Sequence, residues 1–229
     1  MELPVASAIQ NATNFFVQGG IFMGFLLLLS IAAGTVIVLR ILALRESAVV
    51  PADLAQEIET LEPGGNLDRL QALIVRHPSS LSRILGTLVQ HLSWPRSEAI
   101  EAVQTRARHE VTRMESGLML LEIGTGIAPL FGLLGTLTGL VHIFGSVGGD
   151  PTIVARGISE ALNCTIAGLA VSVPCLATFS YFQRRVEKLS IEMESLVADL
   201  IAKCYAHGGN PQLEKVTREP IVLPTRQSR

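Results

Sequence analysis

The sequence predicts an all-α membrane protein with three transmembrane helices. Of its 229 residues, 48% are hydrophobic and only 17% are charged, a balance that is typical of chains that contact lipid. Three apolar runs reach about 20 residues, the length that a helix needs to cross roughly 30 Å of hydrocarbon. The net charge of −2 lacks the basic excess of a nucleic-acid-binding protein, so nucleic acid is not expected as a partner.

The three apolar runs give the predicted spans. The first extends from residue 19 to residue 39 and ends at Arg40. Residues 1–18 contain no Lys or Arg, so this run lacks the basic start of a secretory signal peptide and is interpreted as a retained anchor. The second run covers residues 118–146 and the third covers residues 158–182.

The basic residues predict the orientation of the spans. All but Arg156 of the 18 Lys and Arg residues lie either between residues 40 and 118 or after residue 183. Because flanking basic residues stay in the cytoplasm, both stretches are predicted to be cytoplasmic and the N-terminus periplasmic. The predicted segments are a periplasmic stretch (1–18), span one (19–39), a cytoplasmic helical domain (40–117), span two (118–146), a periplasmic loop (147–157), span three (158–182) and a cytoplasmic helix with a tail (183–229).

Helix breakers divide the predicted cytoplasmic domain into short helices. They are Glu62-Pro63-Gly64-Gly65, His77-Pro78 and Trp94-Pro95. After Pro95 the apolar residues recur at helical spacing, so one helix is predicted to run continuously into span two. The same spacing after span three predicts a second long helix. The apolar residues of both helices are expected to pack against other helices. Contact with a partner protein would be an additional role.

Small residues form one face on each of the last two spans. These faces consist of Gly124, Ala128, Gly132, Gly135 and Gly139 on span two, and of Gly157, Ala161, Cys164, Gly168 and Cys175 on span three. Because small residues let helix backbones approach closely, each face is expected to meet a neighbouring helix. Pro129 removes a backbone donor within span two, and adjacent helices are expected to compensate for the loss.

Polar residues within the spans are candidates for an ion pathway. Thr136 and Thr165 are predicted to lie about 6 to 8 Å outward of the bilayer midplane, because each helical residue adds about 1.5 Å. Either hydroxyl alone is typically bonded to its own helix, but their shared depth favours a common role. Glu160 lies near the outer end of span three, where its carboxyl group needs water, a partner or a position at the interface. His142 could relay protons and Glu122 could line a cation exit, but a packing or snorkelling role for His142 and a simple interfacial role for Glu122 are favoured.

Catalysis by this chain is not indicated. The sequence contains no phosphate-binding loop, metal-ligand cluster or nucleophile elbow, so no cofactor or metal is predicted. Cys164 and Cys175 are too far apart on one helix to form a disulfide, and Cys204 lies near the tail. The chain is therefore not expected to be an enzyme.

Two stretches resemble the signature of the MotA/TolQ/ExbB proton-channel family. They are Gly132-Leu-Leu-Gly-Thr-Leu-Thr-Gly139 and Gly157-Ile-Ser-Glu-Ala-Leu-Asn-Cys-Thr-Ile-Ala-Gly168. The likeness runs from about Leu118 to Gln183, and the three-span layout is most similar to the ExbB and TolQ groups, with ExbB favoured. The resemblance implies a homopentamer that surrounds the single membrane helices of two ExbD-like or TolR-like subunits.

The resemblance also implies roles for individual residues. Thr136 and Thr165 would form hydroxyl rings that face the central helices, and Glu160 would be an acid near the outer mouth of the lumen. Asn163 and Cys164 depart from the small apolar residues or threonine common in the family, which leaves proton or sodium open as the coupling ion. The residues assigned to helix packing are Gly132, Gly135, Gly139, Pro129 and Gly168.

The implied function is that of a proton-channel stator subunit in a motor of ExbB–ExbD type in the bacterial inner membrane. Such a motor couples the proton motive force, through a TonB-like protein, to transport across the outer membrane. A TolQ-type subunit that works with a TolA-like protein is one alternative. A passive membrane scaffold is another, in which Thr136, Thr165 and Glu160 would be dispensable. A secondary transporter is disfavoured, because internal repeats and further spans are not found.

Overall fold

The computed structural model describes residues 20–146 and 151–206. Within these ranges the chain is α-helical and has no strand, as the sequence predicts. The helices are α1 (Gly20–Ala43), α2 (Glu46–Val49), α3 (Ala52–Thr60), α4 (Asp68–Arg76), α5 (Ser80–Gln90), α6 (Arg96–Glu115), α7 (Leu118–Ser146) and α8 (Pro151–Tyr205). The predicted periplasmic stretch (1–18), the start of the predicted 147–157 loop and the last part of the predicted tail lie outside the described residues.

Three of the described helices are long and apolar enough to cross a membrane, as predicted. The candidate spans are Ile21–Ala43 in α1, Leu118–Gly145 in α7 and a part of Val154–Tyr205 in α8. These helices expose large apolar side chains, of which Leu28 and Val141 are two. Exposed apolar surface of this extent is stable in lipid, because a helix satisfies its own backbone hydrogen bonds there.

The described chain divides into two compact units. The membrane unit contains residues 20–39 and 117–182, and the short-helix unit contains residues 40–116 and 183–206. Helix α8 contributes to both units, because it continues for 55 residues from Pro151 to Tyr205. The long helix predicted to follow span three is therefore confirmed.

The prediction that one helix runs continuously from Pro95 into span two is wrong. Helix α6 ends at Glu115, and α7 begins at Leu118. Between them Gly117 has a φ of 86°, a left-handed conformation that favours glycine because it has no β-carbon to clash with the backbone. A lone glycine is tolerated inside many helices, so the apolar spacing alone does not reveal this turn.

Arg40 stabilises the turn at the end of α6. Its guanidinium group donates hydrogen bonds to the Met114 carbonyl at 3.3 Å and to Ser116 Oγ at 3.0 Å. Ser116 Oγ donates in turn to the Arg113 carbonyl at 2.8 Å. The last carbonyls of a helix have no partners within it, and these side chains supply partners for two of them. The helix end thus depends on a residue that is distant in sequence.

Helix α8 begins earlier than predicted. The predicted loop extends to residue 157 and predicted span three starts at residue 158, whereas the structure has helix from Pro151 onward. Proline suits the first turn of a helix, because its fixed φ is helical and its missing N–H would have no partner there. Part of the predicted loop is therefore helical.

The breaks predicted within the 40–117 segment are confirmed. Helix α3 ends before Pro63, α4 ends at the residue before His77, and Pro95 directly precedes α6. Helix α5 packs against α4 and α6, and α3 packs against α4. The side chains buried in this unit are mainly leucine and isoleucine, and they include Leu54, Ile58, Leu70, Ile74, Leu81, Ile84, Leu85, Leu88, Leu189 and Leu200.

A buried ion cluster joins α5 to α6. The carboxylate of Glu110 accepts hydrogen bonds from Arg83 Nε at 2.7 Å and from Arg83 Nη2 at 2.5 Å, and Arg106 Nη2 lies 3.0 Å from Oε1. Arg83 Nη2 also donates to Ser80 Oγ at 2.9 Å. Burial raises the pKa of Glu110, but the hydrogen bonds and charges of Arg83 and Arg106 outweigh it, so the pKa lies below its ordinary value. The carboxylate is therefore ionised at neutral pH.

Candidate ion-pathway site

The small-residue faces of α7 and α8 pack against each other within one chain. A β-carbon at Gly132 would lie 2.8 Å from the Cys164 carbonyl oxygen, and one at Gly168 would lie 2.6 Å from the Ala128 carbonyl oxygen. Real β-carbons do not approach backbone atoms so closely, so both positions require glycine. The predicted close approach of another helix is confirmed. Because the partner is α8 of the same chain, these faces do not by themselves require a second copy.

The packing continues along α7 on both sides of Gly135. A β-carbon there would lie 2.9 Å from Cys164 Cβ and 3.4 Å from Phe22 Cβ, so α8 and α1 both approach this glycine. One at Gly139 would lie 3.1 Å from Ala161 Cβ. We call the line of contacts between the two small-residue faces the glycine seam.

The hydroxyl groups of Thr136 and Thr165 meet within the glycine seam. Their Oγ1 atoms are 2.5 Å apart. Thr136 Oγ1 also lies 3.1 Å from the carbonyl oxygens of Gly132 and Ala161, and Thr165 Oγ1 lies 3.4 Å from the Gly132 carbonyl oxygen. We call this group of two hydroxyls and two carbonyls the threonine rung. The two threonines therefore lie at the same level along α7 and α8, and their depth in the membrane stays a prediction.

The threonine rung has more acceptors than hydrogens. Each hydroxyl donates one hydrogen bond at a time, and each can accept from the other or donate to a carbonyl. The pattern of donation can therefore reverse by rotation of a hydroxyl, without displacement of a heavy atom. Thr136 is only 7% exposed, whereas Thr165 is half-buried. A further molecule that contacts the rung of a single chain would therefore do so through Thr165.

The structure gives less information about the third candidate, Glu160. Its backbone lies in α8, little more than one helical turn from Thr165, but its side chain lies outside the described residues. Its role in an ion pathway stays a prediction. Glu122 and His142 are both exposed on α7. Their roles stay predictions.

Pro129 interrupts the hydrogen bonds of α7, and a neighbouring helix compensates, as predicted. Proline has no N–H, so the carbonyl of Thr125, four residues earlier, lacks its usual helical donor. Ser172 Oγ on α8 donates a hydrogen bond to this carbonyl at 2.7 Å. The sequence assigned no role to Ser172. The spacing in the sequence could have indicated one. Ser172 lies about two helical turns beyond Thr165 and therefore on the same face of its helix.

The site offers neutral oxygen atoms and few ionisable groups. Among the residues that the structure describes, no cluster of three or more His, Cys, Asp or Glu side chains is arranged to hold a metal ion. Hydroxyl and carbonyl oxygens can bind a cation weakly or exchange hydrogen bonds with a carboxyl group from outside the chain. They cannot act as general acids or bases near neutral pH, because a threonine hydroxyl does not ionise there.

Comparison with known proteins places the site within a matched region. Residues 78–195, just over half of the chain, match the MotA/TolQ/ExbB proton channel family. A putative biopolymer transport protein, an ExbB homolog of Methanothermobacter thermautotrophicus, is 29% identical over 188 residues, which cover 80% of this chain and 67% of that protein. The putative biopolymer transport protein ExbB-like 1 of Synechocystis sp. is 36% identical over 177 residues, covering 72% and 67%. The biopolymer transport protein ExbB of Neisseria meningitidis is 26% identical over 200 residues, covering 79% and 89%.

Proposed function

The chain belongs to the MotA/TolQ/ExbB proton channel family, and from this premise we propose that it is the channel subunit of a motor of ExbB–ExbD type in the bacterial inner membrane. The motor uses the proton motive force to drive a TonB-like protein that supports transport across the outer membrane. The relatives are named as biopolymer transport proteins of ExbB type, which favours this system over a TolQ-type subunit with a TolA-like partner.

The proposed assembly is a homopentamer that surrounds the membrane helices of two ExbD-like subunits. Family membership supports the ring. The glycine seam does not, because α8 already fills the small-residue face of α7. Contacts between copies would therefore use the apolar surfaces that α1, α7 and α8 leave exposed. The distribution of Lys and Arg supports a cytoplasmic short-helix unit and a periplasmic N-terminus.

The observation that carries the proposal is the threonine rung. Two hydroxyl groups in direct contact lie between apolar membrane helices, within the stretch that matches the family. In the proposed mechanism Thr165 exchanges a hydrogen bond with a carboxyl group on the central subunit, and Thr136 reverses its own donation to compensate. Glu160 supplies a carboxylate near the periplasmic end of the path. The coupling ion in this proposal is the proton.

Substitution of the two threonines by valine tests the proposal. The double variant Thr136→Val, Thr165→Val removes both hydroxyls from every copy in the ring. Proton flux should fall roughly tenfold, because a lost hydrogen bond of about 1 kcal/mol or slightly more raises the barrier accordingly. Glu160→Gln should also lower the flux. The measurement is pH-driven proton uptake by proteoliposomes that contain the chain with its co-purified single-span subunit.

Thr138→Val is the matched control for these variants. Thr138 lies on the same helix but is exposed, and its hydroxyl donates only to carbonyls of α7, those of Leu134 at 2.9 Å and Gly135 at 3.0 Å. Its loss should leave the flux unchanged. Full flux in the double variant, with normal yield of the complex, would support the passive scaffold instead. Native mass spectrometry tests the ring separately, and a stable monomer or dimer beside the central subunit would contradict it.

A further inference from the structure

The hydrogen bond from Ser172 to the Thr125 carbonyl is a second polar contact between α7 and α8, distinct from the threonine rung. We propose that Ser172 is a positioning residue. By holding the carbonyl that Pro129 leaves without a donor, it fixes the register in which Thr136 meets Thr165. The inference deepens the proposed function and rests on it, because correct geometry of the rung matters only if the rung serves ion passage.

The chemistry of the contact explains why Ser172 is needed. A backbone carbonyl within a membrane has no water to bond, so the loss of its helical donor at Pro129 must be offset by another group. Ser172 is buried, and its Oγ lies 2.7 Å from the Thr125 carbonyl oxygen, the usual length of an O–H···O hydrogen bond. Other hydroxyls on these helices, such as those of Thr138 and Thr178, donate to carbonyls of their own helix. Ser172 instead bonds across the seam.

The packing between the two polar contacts explains why the bond governs register. At Gly132 and Gly168 the two backbones touch without side chains that could interlock. Because no side chains interlock at these two glycines, the packing there restrains sliding of the helices less than it restrains their separation. Hydrogen bonds are directional and weaken steeply as their geometry changes. The Ser172 bond and the threonine rung are two directional contacts along this seam.

The positions along the helices agree with this role. Thr125 precedes Thr136 on α7 by about three helical turns, and Ser172 follows Thr165 on α8 by about two turns. Each pair therefore lies on one face of its helix, and the two contacts hold the same pair of faces at separate levels. If α7 shifted along its axis at Pro129, Thr136 would also shift relative to Thr165.

The experiment combines Ser172→Ala, Ser172→Thr and Pro129→Ala. In Pro129→Ala the new N–H can bond the Thr125 carbonyl within α7, so the Ser172 hydroxyl becomes redundant. The geometry of the rung is read from the rate of disulfide formation between Gly139→Cys and Ala161→Cys, with the three native cysteines replaced by alanine. The added β-carbon at Gly139 would lie 3.1 Å from Ala161 Cβ, so the helices must separate by a few tenths of an ångström to reach the roughly 3.5 to 4.5 Å between the β-carbons of a disulfide. The Ala161 carbonyl belongs to the rung. Proton flux per complex is measured together with the rate of disulfide formation.

We expect Ser172→Ala to slow both disulfide formation and proton flux, each roughly tenfold, as loss of one buried hydrogen bond predicts. Ser172→Thr keeps a hydroxyl and should retain both rates. In the Pro129→Ala background, Ser172→Ala should have little further effect. Thr178→Ala is the matched control, because it removes an exposed hydroxyl of α8 that donates to the Pro174 carbonyl at 2.6 Å, and it should change neither rate.

Two outcomes would overturn the inference. One is an effect of Ser172→Ala that is equally large with and without Pro129, which would separate the hydroxyl from the freed carbonyl. The other is a fall in flux with an unchanged rate of disulfide formation. If disulfide formation slows in the expected pattern while flux is unaffected, the positioning role stands and the proposed function fails. Loss of flux in Thr136→Val, Thr165→Val reports on the proposed function alone.

Discussion

The membrane unit and the short-helix unit pack their helices by different means. In the membrane unit, backbones meet at Gly132 and Gly168, and hydroxyl groups bond to carbonyls. In the short-helix unit, leucine and isoleucine side chains fill the core and the carboxylate of Glu110 bonds two arginines. We attribute the difference to the solvent. In lipid there is no hydrophobic driving force for apolar side chains to associate, so close backbone approach and hydrogen bonds must hold the helices together. In water the hydrophobic effect drives the burial of apolar side chains.

Helix α8 illustrates both kinds of packing in one continuous element. Within the membrane unit it presents Ala161, Cys164 and Gly168 to α7. In the short-helix unit it buries Leu189 and Leu200. The comparison therefore predicts that added side-chain volume destabilises the membrane unit. Loss of a charge or of apolar side-chain volume should destabilise the short-helix unit.

The largest effect is expected from Gly135→Leu. Its side chain would meet Cys164 on one side and Phe22 on the other, so the three membrane helices would be forced apart. We expect a loss of stability above about 3 kcal/mol and hence little monodisperse protein in mild detergent. Gly126→Leu is the control, because a β-carbon at Gly126 has no atom within 4 Å. Equal yields for the two variants would show that the seam does not depend on close approach.

A smaller but substantial effect is expected from Glu110→Ala in the short-helix unit. The substitution leaves the partly buried guanidinium groups of Arg83 and Arg106 without their shared carboxylate. Removal of one partner from a buried ion pair typically costs several kcal/mol, and we expect about 2 to 3 here because the arginines retain some access to water. Thermal unfolding in detergent measures the change. Glu101→Ala, on the exposed side of the same helix, should change stability little.

Acid should weaken the same cluster. The pKa of Glu110 in the folded chain lies below its ordinary value of about 4.3, so its contribution to stability is complete above that value and is lost as the pH falls through the folded pKa. The unfolding temperature of the native chain should therefore decrease below about pH 4. In Glu110→Gln this part of the decrease should be absent. Identical pH profiles of the two proteins would show that other carboxylates dominate.

The smallest effect is expected from Glu46→Ala. Glu46 lies 3.3 Å from Arg185 and 3.8 Å from Lys188, but the carboxylate is about half exposed. Exposed ion pairs contribute little because water and salt screen them, so stability should fall by less than about 1 kcal/mol. The loss should shrink further in high salt. A decrease as large as that of Glu110→Ala would mean that burial does not determine how much the ionic contacts of Glu110 and of Glu46 contribute to stability.

Much of the architecture could be predicted from the sequence. The spans follow from the length and apolar character of three runs, which do not depend on how the helices meet. Proline and glycine mark the breaks between short helices, because they act on the local backbone. The shared level of Thr136 and Thr165 follows from the fixed rise of a helix, which converts residue number into distance along its axis.

Only the tertiary structure identified the partners. It paired the glycine face of α7 with α8 of the same chain, assigned Ser172 to the Thr125 carbonyl, and brought Arg40 to the end of α6 where a continuous helix was predicted. These contacts join residues far apart in sequence. Periodicity defines the face of a helix, but it leaves open how the helix rotates and slides against its neighbours. Those two variables are set by packing and by hydrogen bonds between helices, which exist only once the chain has folded.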